Sequence, residues 1–478
     1  SYIGACFFIL GIFCDMILFV YKKMVAMDLR GDTVNKIQIE QFTELISTHN
    51  TGLIIGNGFS MNFDSCFRGI YDSLKEGNNA LNKLGEFTIS PTAYLDTRII
   101  ITQNYKNVVK YVRNFNQKQL EKIFEDAVDF AGFITTNSKI NNFLEHNRHL
   151  NKFKAAPNML EVTKGIYEIG SKKGFKSVNI ENWPTLIWLY HLIENLPEFK
   201  KYTQKSNRFI KLLRKGWEKS IMPQGHETNV MYKTRFNGFS IYYRLLMITI
   251  IFGNGKAVDI NKLEKINDID QDSIKQWLAG FKELFSLNYD LILEQNTNRS
   301  VTYLHGHFQN KLHGFTYHQS YALKHGNDMF YTNDIILGDY TTTKMLDGIM
   351  HSIVLGKQAL TQPRVDALEI LSYKMRCSEI SHIVFFGVHP ENDYHILSGL
   401  YYHFLNTNVD NPAITYCYYN ENEIEDFTNT LYHVVNSIYR DKDFINSISL
   451  SFVDSKEIVN KYFYINNPSI NPASTSIR

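Results

Sequence analysis

The feature that most narrows what this chain can fold into is an unbroken apolar run, Leu53-Ile54-Ile55. It stops on Gly56 and continues as Asn57-Gly58-Phe59-Ser60. A strand without polar alternation suits the interior of a parallel sheet, where both faces are covered. Glycine at its end lets the chain turn and lets a ligand approach the backbone. The pattern recurs: residues 283–287 precede Asn288, 301–304 precede His305, 334–337 precede Gly338, and 382–386 precede Gly387. Residues 413–418 and 448–453 read as further strands, and helical stretches such as 365–376 lie between. This alternation predicts an α/β fold with a Rossmann-like, mostly parallel, doubly wound sheet.

The sheet is expected to be split by a large helical insertion over residues 105–280. Leu120, Ile123, Phe124, Ala127, Val128 and Ala131 recur at helical spacing, and so do Leu186, Trp188, Leu189, Leu192 and Ile193. Residues 37–48 read as a short amphipathic helix, and 235–252 as a helical or buried stretch. All four tryptophans (Trp183, Trp188, Trp217, Trp277) fall in or beside this block and are expected in the core. The sheet domain then comprises residues 27–104 and 281–465. The tail 466–478, with Pro468 and Pro472, is expected to be disordered.

The 478 residues suffice for two or three domains, or for one α/β domain with an insertion. Apolar residues at 44% against 21% charged predict a globular core. A net charge of +2 with no long basic block argues against nucleic-acid binding as the primary role. Cys6, Cys14, Cys66, Cys377 and Cys417 form no C-x-x-C pair, which argues against a zinc ribbon and a secreted disulfide scaffold. A reducing cytoplasm fits.

Residues 3–21 are almost wholly apolar, broken by Asp15 and followed by Lys22 and Lys23. They are close to the length of a membrane span. Two readings stand: an anchor with the body of the chain on the cytoplasmic side, or sequence upstream of a start at Met24 or Met27. Membrane contact is expected only if residues 3–21, within the N-terminal segment 1–26, are native.

Four polar clusters at strand ends could carry chemistry. Gly56, Asn57, Gly58, Phe59 and Ser60 form the first, which Asn62 and Asp64 extend towards a ribose or amide. A helix start there could offer N–H groups to a phosphate, although a plain tight turn has the same composition. Ser286-Leu287-Asn288-Tyr289-Asp290 is the second, and it would also suit an Asx turn capping a helix. In the third, His305 could act as a general base near neutrality, or be structural, and Gly306 lets the chain turn away. Nearby His307 and His313 lack a cysteine or carboxylate at ligand spacing, so no metal is expected. The fourth is Gly387-Val388-His389-Pro390-Glu391-Asn392-Asp393. In a parallel sheet all four converge on one cleft.

In this order the clusters resemble the sirtuin-like superfamily: Gly-Ala-Gly-x-Ser, then Thr-Gln-Asn-x-Asp, then His-Gly, then a Gly-Thr-Ser-type loop. The counterparts are residues 56–60, 287–290, His305-Gly306 and 387–389. The pattern is most similar to bacterial sirtuin-like proteins of antiphage defence. The abortive-infection family AbiH, with its Gly-Asn-Gly-Phe loop, is a near alternative. The matched motifs are few in residues but span positions 52 to about 395.

The departures carry information. Asn57 replaces a small residue, Leu287 stands where deacetylases have Gln, and His389 replaces Ser. The four-cysteine zinc module of the deacetylases has no counterpart, which argues against deacetylation and leaves water as the acceptor. The resemblance therefore implies an NAD glycohydrolase forming nicotinamide and ADP-ribose, an abortive-infection effector that depletes cellular NAD when triggered. NAD is then the substrate, and zinc is not expected. The resemblance implies Asn288 and His305 as catalytic residues. It implies Gly56, Asn57, Gly58, Phe59, Ser60, Asp64, Asp290, Gly387, His389 and Asp393 as NAD contacts. It also implies homo-oligomers, a phage-derived trigger and in some relatives an ATPase partner, with the helical insertion as the natural regulatory element. The competing reading is a non-catalytic sensor of NAD or a related nucleotide, favoured by His389. A membrane-tethered interaction protein rests on residues 3–21 alone. A metal-dependent nuclease lacks paired carboxylates at suitable spacing.

Overall fold

The computed structural model describes residues 34–83, 87–89, 95–146, 159–202, 206–218, 230–264, 269–310, 321–331, 367–407, 409–435 and 445–464. Nine strands occur among them: β1 (Thr51–Ile55), β2 (Phe87–Ile89), β3 (Glu283–Ser286), β4 (Thr302–Tyr303), β5 (Tyr321–His325), β6 (Asp328–Tyr331), β7 (His382–Phe386), β8 (Ala413–Tyr418) and β9 (Ser449–Asp454). Six of them form a sheet in the order β4-β3-β1-β7-β8-β9, and every pairing is parallel. Numbered by their own succession along the chain, these strands run 3-2-1-4-5-6. That is the doubly wound order of dinucleotide-binding sheets, in which the crevice opens where the order reverses. Here the reversal lies between β1 and β7.

The unbroken apolar character of β1 has the cause expected of it, because each face meets a different core. Leu53 and Ile55 join a cluster shared with the helical block, together with Leu284, Val384, Phe386 and Val453. Ile54 joins Phe285, Ile383, Phe385, Ile414, Tyr416 and Phe452 on the other face. There they pack under the helices Ala367–Cys377, Tyr394–Thr407 and Asn422–Val434. Burying side chains of this size stabilises the fold by about 1.5–3 kcal/mol each.

The helical block is organised around the helix Gly238–Phe252, which is buried on nearly all sides. It starts where Asn237 Oδ1 accepts the Phe239 amide and ends on Gly253 at φ 56°. Gly238 is required by close approach, since a Cβ there would lie 2.0 Å from the carbonyl oxygen of Asn104. The helix packs on Leu74–Leu81 and Leu95–Val112, so the helical region begins before residue 105. The six apolar positions read as one face, Leu120 to Ala131, lie in Gln117–Thr136 and are all buried. The residue 37–48 stretch forms the helix Ile39–Thr48. Trp183, Trp188 and Trp277 are buried, and Trp217 is partly buried against the same core.

A second, antiparallel sheet, β2-β5-β6, was not expected from the sequence. Its hairpin is joined by Gly326-Asn327, with Gly326 at φ 60° and His325 paired with Asp328. A Gly-Asn pair between strands is a hairpin signal. The expected strand at 334–337, the apolar run 3–21 and the tail 466–478 lie outside the described residues. Among the described residues no helix is long and apolar enough to cross a membrane.

Candidate active site

The two glycine loops meet at the reversal point. Gly56 N–H donates to Phe386 O at 3.0 Å, and Gly58 N–H donates to Gly387 O at 3.0 Å. A Cβ on Gly58 would lie 2.6 Å from Gly387 Cα, and one on Gly56 would lie 2.5 Å from Gly387 O. Gly387 itself adopts φ 65°. The glycines therefore permit backbone-to-backbone contact between strands that are adjacent in the sheet but far apart in sequence. Phe59 N–H also donates internally, to Gly56 O at 3.0 Å.

The second cluster fastens onto the first. Asn288 is buried, and its Nδ2 donates to Gly56 O at 3.0 Å and to Ser60 Oγ at 2.9 Å. Ser60 Oγ–H in turn donates to Asp290 Oδ2 at 2.7 Å, while Asp290 Oδ1 accepts Ile292 N–H at 3.1 Å. Burial pushes the Asp290 carboxyl up to about 6, with the Ser60 and Ile292 hydrogen bonds opposing the shift. The Asx-turn geometry and the link to the glycine loop thus coexist. Oδ1 of Asn288 is left as the acceptor with which its side chain could meet a ligand.

His305 stands just past β4 and is 3% exposed. Leu304 N–H donates to Ser286 O at 2.9 Å and Phe308 N–H to Tyr289 O at 3.1 Å, so this loop is pinned to the Asn288 loop. Gly306, at φ 80°, turns the chain away. The ring of His305 lies between two carboxylates. Nδ1 is 3.9 Å from Glu181 Oε1 and Nε2 is 3.9 Å from Asp393 Oδ1, both beyond hydrogen-bond length. Tyr289 Oη–H donates to Glu181 Oε1 at 2.8 Å. The Tyr289 phenol is held well above its ordinary pKa, first by burial and then by Glu181 and Asp393, with buried Arg244 acting in the opposite sense.

The structure thus brings together Gly56, Gly58, Ser60, Asn288, Asp290, His305, Gly387 and Asp393. Four other expected contacts have different surroundings. Asn57 Nδ2 donates to Phe67 O at 3.0 Å. The Phe59 ring is fully buried against Phe63, Phe386 and Phe463. His389 is exposed. Asp64, expected near a ribose, engages both oxygens within the protein: Cys66 N–H at 2.8 Å, Glu264 N–H at 2.7 Å, and Lys256 Nζ at 2.9 Å. Burial works to raise its pKa, but the two amides and the ammonium outweigh it and hold the carboxyl below its usual value.

Glu181 and Arg244 were not singled out from the sequence, and Tyr289 was named there only as a member of the second cluster. Pro184, in the first turn of Trp183–Ile193, marks a helix start and hence a polar loop at 179–182. Nothing in that signal says the loop reaches the sheet. Among the described residues no group of three or more His, Cys, Asp or Glu side chains is placed to hold a metal ion. His307 stacks on Tyr303 with ring centroids 4.0 Å apart, and His313 lies outside the described residues. Compared with family models, curated proteins and solved structures, the chain matches none.

Proposed function

We propose that the cleft at the carboxyl ends of β3, β4, β1 and β7 binds NAD and hydrolyses its N-glycosidic bond, in the service of antiphage defence. The observation that carries this reading is the burial of His305 between two carboxylates beside the reversal point. The order of the motifs along the sequence supports it. Water attacks C1′ of the nicotinamide ribose, the C1′–N bond breaks, and its electron pair leaves with neutral nicotinamide. The water oxygen becomes the C1′ hydroxyl of ADP-ribose. His305 takes the water's proton and passes it to solvent. Asp393 faces the positive charge that develops on the ribose, and Asn288 Oδ1 orients the water or a ribose hydroxyl. Because the amides of Gly56, Gly58 and Phe59 donate to protein carbonyls, a pyrophosphate would meet the rim of this junction rather than those N–H groups.

The test is nicotinamide release from NAD by the purified protein, beside His305→Gln and Asn288→Ala. Release by the wild type and its loss in folded variants supports the hydrolase. NAD binding without release favours the sensor. Absence of NAD binding overturns both.

A further inference from the structure

The helical block sends one carboxylate to the site, and the loop that carries it is held firmly. Asn179 Oδ1 accepts Glu181 N–H at 3.0 Å. The Tyr243 hydroxyl donates to Ile180 O, and the Tyr71 hydroxyl donates to Val178 O at 3.1 Å. Tyr71 Oη also accepts Trp183 Nε1–H at 2.7 Å. Tyr71, Phe124, Phe175, Trp183 and Tyr243 pack edge to face around this anchor, apart from the stacked Phe124–Phe175 pair. These bonds hold the backbone that carries Glu181, and its carboxylate lies beside Nδ1 of His305.

We propose that Glu181 is a positioning residue for His305, so that the helical block is a structural part of the catalytic site. Its carboxylate accepts Nδ1–H and fixes that tautomer. Nε2 then carries the lone pair and faces Asp393 and the cleft. A proton taken up at Nε2 is stabilised by both carboxylates. Catalytic hydrogen bonds are often long without substrate and tighten when it binds, and the 3.9 Å separations leave room for that. The carboxylates beside the ring are Glu181, before the helix Trp183–Ile193, and Asp393, before Tyr394–Thr407, and Tyr289, after β3, shares both of them. Arg244 of Gly238–Phe252 lies near Tyr289. Glu181 is the one whose carboxylate meets both Nδ1 and the Tyr289 hydroxyl.

The role of Glu181 in the hydrolase rests on the function proposed above, but its hold on His305 can be measured without turnover. Nitrogen-15 NMR of histidine-labelled full-length protein, with the His305 signal assigned by its loss in His305→Gln, reads tautomer and titration directly. The wild type is expected to carry the neutral-ring proton on Nδ1. Glu181→Gln keeps the shape and the acceptor for Tyr289 but removes the charge, and should lower the His305 pKa by about one unit or more. A wild-type proton on Nε2, or an unchanged pKa in folded Glu181→Gln, overturns the proposal. The tautomer measurement needs no variant at residue 181, so it stands even if Glu181→Gln fails to fold. If nicotinamide is released, the acid limb of kcat moves down by the same amount in Glu181→Gln while KM stays close to wild type. If none is released, the hydrolase reading fails and the NMR result still decides the role of Glu181.

Discussion

Gly58 N–H donates to the carbonyl of Gly387 at 3.0 Å, and a Cβ built on Gly387 would lie 2.7 Å from Gly58 Cα. The two loops are therefore one junction, and neither glycine can be enlarged without parting them. Gly58→Ala is expected to cost roughly 1–3 kcal/mol from overlap. Gly387→Ala is expected to cost more, because φ 65° adds strain of about 1 kcal/mol or more. Urea unfolding measures both, and unchanged midpoints would contradict the contact.

His305→Gln is expected to lower nicotinamide release by roughly 10²–10⁴-fold, the usual contribution of a general base. The melting temperature is measured beside the activity, so that loss of release is read only in a variant that folds as the wild type does. A variant that retains activity removes His305 from the mechanism.

Asn288→Ala should lose stability as well as activity. It deprives Gly56 O and Ser60 Oγ of their buried donor, at about 1–3 kcal/mol. Asn288→Asp keeps the size but not the donor and should behave similarly. Denaturant titration of the two variants separates the structural part from the kinetic part, and wild-type stability in both would show the donor to be dispensable.

Two buried groups give stability opposite dependences on pH. Asp290 titrates at about 6 in the fold against an ordinary 3.8, so its contribution is full below about pH 4 and lost as pH rises through 6. His382, bonded to Thr51 and Thr415 in the sheet interior, is held neutral by burial and titrates at about 3 against an ordinary 6.5. Its contribution is full above pH 6.5 and lost as pH falls towards 3. Asp290→Asn should therefore make unfolding free energy rise more steeply between pH 4 and 6. An identical slope in wild type and variant would refute the assignment.

Asp64→Asn should destabilise by roughly 2–3 kcal/mol, since two backbone amides and Lys256 share its carboxylate. With both oxygens committed to the protein, KM for NAD should not change. A raised KM in the folded variant would return Asp64 to the binding site.

The sequence made the sheet readable because its strands are apolar on both sides and stop on glycine or polar residues. β7 and β8 fall on their expected residues, and β1, β3, β4 and β9 lie within one or two of theirs. The β2-β5 pairing escaped because β2 is three residues long and its partner lies beyond residue 320, while the Gly326-Asn327 signal of the β5-β6 hairpin was present but not read. The candidate cluster was legible where its members follow strands, as with Asn288, His305 and Asp393, which the fold brings to one end of the sheet. Glu181 was not, because its place beside His305 depends on how the helical block docks. Phe59 and Asp64 lie in and beside the glycine loop but face the core and Lys256, and proximity in sequence could not reveal which way they point.

The central strand also sets the order in which the molecule can be made. Gly52 pairs with Glu283 on one side and with Ile383 on the other, so β1 leaves the ribosome long before either neighbour exists. At about 5–20 residues per second the wait is roughly 10–60 s. Through that interval the apolar run Leu53-Ile54-Ile55 has no sheet to enter, and the strand's edges are open to other chains. Helices of the intervening block can form meanwhile and cover one face of β1. In the finished fold the block that supplies Glu181 is what covers the Leu53 and Ile55 face of β1.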